Sequence, residues 1–131
     1  MSVPHLPVRG KILQARDPFV HAGGGGAVAA GVLAELGAEV DFYCALGQDA
    51  DGHAAAAQLE HRGVRVHVAW REQATRRAIT FLEPSGERTI VTLGDRLEPH
   101  GADDLEWDRL KDTGSVYFTA GDAAALRLAN A

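Results

Sequence analysis

The chain has 131 residues, of which 46% are hydrophobic and 24% charged, a globular composition that excludes disordered, collagen-like and disulfide-stapled classes. Thirteen basic residues against eighteen acidic ones leave a net charge of −5, and only 6% of residues are aromatic, so neither a basic phosphate-binding face nor a base-stacking platform is available for nucleic acid. No apolar run reaches the roughly 18 residues of a membrane span, the N-terminus lacks the features of a signal peptide, and the single cysteine, Cys44, fits a reducing cytoplasm.

In chain order, the first residues are weakly patterned and punctuated by Pro4, Pro7 and Pro18, without a strong strand signal. Four consecutive glycines, Gly23 to Gly26, then open an almost wholly apolar segment, Ala27 to Leu36. This predicts a buried helix stopped by Gly37. Val40 to Leu46 has the β-branched and aromatic residues of an interior strand. The turn Gly47 to Gly52 offers an aspartate to cap a second helix, about His53 to Arg62, which ends at Gly63. Val64 to Trp70 reads as a second strand, and Ala78 to Leu82 and Thr89 to Leu93 flank Pro84-Ser85-Gly86 as a hairpin. Asp103 to Lys111 predicts a short helix with Leu105 and Leu110 turned inward, Val116 to Thr119 a strand, and Asp122 the start of a helix still running at Ala131. The helix–strand alternation implies an α/β fold with a mostly parallel sheet, and both ends read as unfinished.

The glycine run is the leading candidate for a binding site. Glycines at a helix start permit positive φ and let a ligand approach without Cβ atoms in the way. First-turn N–H groups and the helix dipole suit a phosphate, a carboxylate or sugar hydroxyls, although a turn packed against a neighbouring strand would use the same residues. A P-loop is excluded, because no Gly-Lys-Ser/Thr follows. The dinucleotide pattern falls on Gly24, Gly26 and Ala29 but lacks a preceding strand. Its ribose-binding acid should end the next strand, whereas Asp41 stands at the beginning and Asp49 in the turn.

Other chemistry-bearing residues carry plainer readings. None of the six histidines forms a zinc-type spacing, His53, His61 and His67 included, so they read as surface histidines. Cys44 reads as a buried, inert thiol. No G-x-S-x-G elbow supports a catalytic triad. Arg71, Arg76 and Arg77 near Thr75 could attract an anion but read by default as exposed strand-end charges. Thr119-Ala120-Gly121-Asp122 follows a strand and starts a helix, so Asp122 could serve as a base beside an anion hole; the plainer role is an N-cap.

Taken in order, these motifs resemble the N-terminal half of a ribokinase-like carbohydrate kinase of the phosphofructokinase-B type. The resemblance runs through Gly23-Gly24-Gly25-Gly26-Ala27-Val28 and on to Leu36-Gly37. It continues through Gly47, Asp49 and Gly52, then Gly63-Val64, Thr75 and the hairpin Gly86-Glu87-Arg88. Leu6-Pro7-Val8-Arg9-Gly10 resembles the lid segment that covers the sugar. The similarity spans about residues 5 to 122. Two positions depart from the family: Val28 stands where an asparagine usually bonds sugar hydroxyls, and Lys11 stands where an acid usually follows the lid glycine.

The resemblance implies a single, incomplete domain over residues 1–131. It would be a partial three-layer α/β fold with a mostly parallel sheet, a small β lid segment at about 5–22, and core from 23 to 131. It implies ATP and Mg²⁺ as cofactors and a sugar or nucleoside as substrate, with Gly23, Gly24, Gly25, Gly26 and Arg88 on the substrate side. Family members are roughly twice this long. Their catalytic Gly-Ala-Gly-Asp, adenine pocket and first-strand aspartate would lie outside this chain, and Thr119 to Asp122 comes too early to replace that motif. No catalytic residue, nucleotide-binding residue or metal ligand is therefore expected here, and no phosphoryl transfer by the chain alone. The alternatives are a non-catalytic binding remnant of the same fold and a small dinucleotide-binding domain. Neither nucleic acid nor membrane is an expected partner; an orphaned lid or sheet edge would favour self-association.

Overall fold

In the computed structural model, which describes residues 1–130, helix α1 (Gly25–Glu35) starts two residues before its apolar run. Gly24, at φ 88° and ψ 152°, turns the chain into it. Leu36 closes the helix and Gly37 leaves it in the left-handed region at φ 91°, a common glycine exit. Strand β1 (Asp41–Gly47), helix α2 (Ala50–His61) and strand β2 (Arg65–Arg71) follow. β1 and β2 pair in parallel from Asp41 opposite Arg65 to Gly47 opposite Arg71, with α2 as the crossover that a parallel pair requires. Strands β3 (Arg77–Leu82) and β4 (Arg88–Leu93) form a separate antiparallel pair. Their turn closes through the Gly86 N–H on Glu83 O, with Gly86 at φ 87°. A six-residue 3₁₀ helix (Trp107–Asp112) and helix α3 (Ala123–Ala129) complete the described elements.

The core is small. Ala27, Ala30, Leu59 and Val64 form its buried centre, with Ala22, Ala34, Val40, Phe42 and Val66 packed around them. Small residues on α1 let that helix sit close to β1 and α2, but among the described residues no large side chain is fully buried.

Several expectations change. α1 is not buried on all sides: Val28, Val32, Leu33 and Leu36 are exposed, because the helix contacts only β1 and α2 among the elements. Val116 to Thr119 forms no strand, since no neighbouring strand offers it a ladder. The helix expected at Asp103–Lys111 is the shorter 3₁₀ turn, with Leu105 and Leu110 partly buried. α3 ends at Ala129, with Asn130 as its C-cap. Within residues 5–22 the only β pairing is the Arg16 bridge to Ser2, which also bridges Leu82. Among the described residues no helix is long and apolar enough to cross a membrane.

Two polar clusters hold the elements in place. The Asp49 carboxylate caps α2 by accepting the Gly52 N–H at 2.8 Å. It also accepts the Thr75 N–H at 2.8 Å and the Thr75 hydroxyl at 2.7 Å. The same hydroxyl accepts the Gly47 N–H at 2.9 Å, so the end of β1, the start of α2 and the loop leading to β3 share one knot. At the other end of β1, Asp41 accepts from Arg65 at 2.8 Å, His67 Nε2 at 2.6 Å and Arg109 Nε at 2.9 Å. Tyr43 stacks between His67 and Trp107, with ring centroids 4.4 and 4.9 Å away. His67 is thus buried, not a surface histidine as expected; its register partner Tyr43 and the Asp41 carboxylate cover it.

Thr75→Val would leave the buried Gly47 N–H without its acceptor, so chemical unfolding should show a loss of about 1–3 kcal/mol. Partial burial acts to raise the pKa of Asp41, but the Arg109, His67 and Arg65 bonds outweigh it and hold the carboxyl well below the usual range. A carboxylate depressed in the folded state contributes its stability in full above its unfolded pKa, about 3.9. That contribution falls away as pH drops through the folded value. Thermal midpoints measured from pH 7 down to pH 2 should fall for the wild type below about pH 5, and Asp41→Asn should flatten that fall.

Candidate functional site

The glycine cluster meets the structural requirements for a ligand-facing helix start. The Gly24 carbonyl accepts the first helical bond, from the Val28 N–H at 3.0 Å. The N–H groups of Gly24, Gly25, Gly26 and Ala27 have no protein partner among the described residues. Four unpaired donors therefore lie at the positive end of the α1 dipole. A Cβ built on Gly24 or Gly25 meets nothing within 4 Å, so the space in front of both is open. Gly26 has a different role: its Cβ would sit 3.1 Å from the Phe42 ring and from Thr119 Oγ1. Here a glycine is needed for close packing. Just upstream, the Ala22 N–H donates to Gln58 Oε1 of α2 at 2.7 Å, which anchors the approach to the cluster.

Two neighbours complete this site: Thr119, which the sequence marked only as the start of the Thr119–Asp122 motif, and Arg96, which it did not mark. Thr119 brings its hydroxyl to Gly26, and the Arg96 guanidinium donates to the Thr119 carbonyl at 3.0 Å. Arg96 lies in the irregular stretch after β4, where no periodicity or motif marks it. Arg88 begins β4 and is exposed, and β4 contacts only β3 among the elements. The described structure therefore does not bring Arg88 to the glycines.

The remaining candidates are occupied by structural roles. Asp122 Oδ1 accepts the Ala125 N–H at 2.7 Å and the Gly101 N–H at 2.9 Å. These bonds, that from Ala125 first, hold its pKa below the usual value, so Asp122 is the N-cap of α3 and a weak base. Arg71 is not a free strand-end charge: it grips Asp103 through two bonds of 2.8 and 2.7 Å and donates to Glu98 O at 3.0 Å. Arg77 lies 3.6 Å from Asp51. Burial pushes the Cys44 thiol up to about 12, which makes it a poor nucleophile. The dinucleotide geometry is not met: only one isolated bridge precedes α1 after Val3, and Asp41 and Asp49 are both consumed by the clusters described above. Among the described residues no group of three His, Cys, Asp or Glu could hold a metal ion.

The model of the pfkB family of carbohydrate kinases matches residues 5–128. Among solved structures, a ribokinase from Cryptococcus neoformans var. grubii serotype A in complex with ADP is 29% identical, with a TM-score of 0.58 over 70% of this chain and 29% of its own. A ribokinase from Arabidopsis thaliana complexed with ribose and ATP is 27% identical, with a TM-score of 0.59 over 84% of this chain and 36% of its own. An adenosine kinase from Sinorhizobium meliloti is 26% identical, with a TM-score of 0.64 over 80% of this chain and 36% of its own. The chain thus spans about a third of the length of these structures. The architecture is that of the ribokinase fold, with a parallel pair and a small antiparallel sheet.

Gly24 occupies a region of φ and ψ open essentially to glycine alone, so Gly24→Ala should destabilise the chain by roughly 1–3 kcal/mol. Gly25→Ala meets open space in a helical conformation and should be close to neutral in the same unfolding measurement.

Proposed function

This chain belongs to the pfkB family of carbohydrate kinases, and we propose that it supplies the part of a kinase site that receives the hydroxyl substrate, a sugar or a nucleoside. We also propose that it transfers no phosphoryl group by itself. The observation that carries this reading is the run of unpaired N–H groups from Gly24 to Ala27, with open space at Gly24 and Gly25, donors suited to hydroxyl oxygens. Val28, half exposed on the first turn of α1, has no hydrogen-bonding side chain. Recognition therefore falls to the backbone donors, with Thr119 and Arg96 beside them. Ribose with ATP in one similar structure and ADP in another support a sugar acceptor and an adenine nucleotide donor. Arg88 joins the substrate side only if the β3–β4 hairpin folds over the glycines.

The transfer of a γ-phosphoryl group to a hydroxyl needs a base for the hydroxyl proton and positive groups for the developing charge. We place neither ATP nor Mg²⁺ on residues 1–130. Asp41, Asp49, Asp103 and Asp122 are each bound by backbone or cationic donors, and no metal-binding cluster is present among the described residues. A binding module without catalysis is the second reading, favoured by the engagement of Asp122 as a cap. The inert Cys44 thiol accords with our assignment of the chain to the cytoplasm.

A coupled assay of ADP release with ribose or adenosine, ATP and Mg²⁺ should give only the background rate for this chain. Turnover that Asp122→Asn abolishes would overturn the assignment. In parallel, titrating ribose into ¹⁵N-labelled protein should shift the amide signals of Gly24 to Ala27, and Gly25→Val should remove those shifts without unfolding the chain. Unmoved glycine signals would sink the substrate-side reading.

A further inference from the structure

We infer that Gln58 is the positioning residue of the glycine site: its Oε1 fixes the chain at Ala22, and through Ala22 it sets the conformation in which the Gly24 N–H and the first turn of α1 meet a ligand. The inference rests on the substrate-side reading above and names the side chain that holds that site in shape. It begins with what α1 lacks. Its N-cap, Gly24, offers no side-chain bond to the first turn, and no acidic residue stands there to complement the dipole. The helix then opens on Gly25 and Gly26, poor helix formers with the most backbone freedom to lose. Nothing in the local sequence therefore holds the donors in one conformation.

The support comes from α2. Among the described residues, the chain from Asp17 to Gly23 makes no backbone-to-backbone hydrogen bond, and the hydrogen bonds its backbone does make all go to Gln58. The Ala22 N–H donates to Oε1 at 2.7 Å, while Nε2 reaches Val20 O only at 3.5 Å, the outer limit for such a bond. The acceptor atom thus carries the contact, and the Ala22 donor fixes which way round the amide lies. Ala22 itself packs against the core. Gly23 and Gly24 therefore span a short gap between a fixed residue and the helix.

Gln58 stands on a firm base. Asp49 caps its helix, and Leu59 beside it is buried. Arg62, one turn beyond Gln58 on the same face of α2, covers Gly31 of α1 and pairs with Glu35 at 2.9 Å. One face of α2 therefore holds both the approach to α1 and its body, so the glycine donors are placed by α2 rather than by their own neighbours in sequence. No periodicity or motif marks Gln58, since its partner Ala22 lies 36 positions earlier.

The test compares Gln58→Met, which keeps the length and helix preference of glutamine but removes the acceptor, with Gln58→Glu, which restores an acceptor. Gln58→Asn, one methylene too short, takes the place of Gln58→Met if that variant does not fold. In the wild-type chain the Ala22 amide should exchange with solvent at least tenfold more slowly than the Gly24 and Gly25 amides. Without the acceptor that protection should vanish, and ¹⁵N relaxation should report added motion at Gly23 to Gly25 while the amide signals of β2 stay in place. Ribose should then bind at least fivefold more weakly. Gln58→Glu should recover both order and affinity, a rescue that a general loss of stability would not show. Fast exchange at Ala22 in the wild type, or unchanged glycine relaxation in Gln58→Met, overturns the inference. Loosened glycines with unchanged ribose affinity overturn it equally. A wild-type chain that binds no ribose sinks the substrate-side reading alone, and the glycine relaxation still decides whether Gln58 positions the donors.

Discussion

The arrangement of this chain depends on a single carboxylate. Asp49 ends the turn after β1, caps α2 through the Gly52 N–H and takes both the N–H and the hydroxyl of Thr75. Gly47 and Gly52 sit where any Cβ would collide with the backbone or with Thr75, so the knot tolerates only glycine on both sides. It decides where α2 starts, and therefore how the crossover returns to place β2 beside β1. It also decides where the chain leaves for the hairpin. The bonds from Gly52 and Thr75 keep Asp49 below the ordinary carboxylate pKa, so the charge that the knot requires persists across the neutral range.

Around that knot, burial is modest. α1 brings small residues to the core and leaves Val28, Val32, Leu33 and Leu36 exposed. On the far side of β1, the Asp41 cluster and the Tyr43–Trp107 stack hold the 3₁₀ helix against the sheet without closing a cavity beside Phe42 and Phe118. The glycine site is built where this partial packing matters most. The N–H groups of Gly24 to Ala27 have no protein partner among the described residues, with open space at Gly24 and Gly25, and Gly26 lets Phe42 and Thr119 approach α1 closely.

Much of this was legible in local residue patterns. The glycines at 37, 63 and 86 marked the ends of two helices and the tip of a hairpin, and each adopts the left-handed φ those roles require. An aspartate of the Gly47–Gly52 turn read as a cap and Asp49 is that cap, and Asp122 read as a cap and is one. What misled the reading were segments whose state depends on a neighbour. Val116 to Thr119 has strand-like residues, yet without an adjacent strand it forms no ladder. His67 has no local sign of burial; its environment is made by Tyr43 and Asp41, about two dozen positions earlier in the chain. Arg71 looked like a free cation until the loop at Asp103 reached it.

Sequence alone determined most element types, their order and the family resemblance, because turns, caps and glycine-dependent conformations are local events set by a few adjacent residues. It also determined that helix α1 would begin on glycines with unpaired donors. Only the tertiary structure decided which charges are spent and which surfaces stay open. Asp122 becomes a cap and a poor base, Arg88 stays apart from the glycines, and Gln58 holds the chain that leads into them. These outcomes depend on contacts between residues distant in sequence, and no local pattern encodes whether a hydrogen-bonding edge or an apolar face will find its partner.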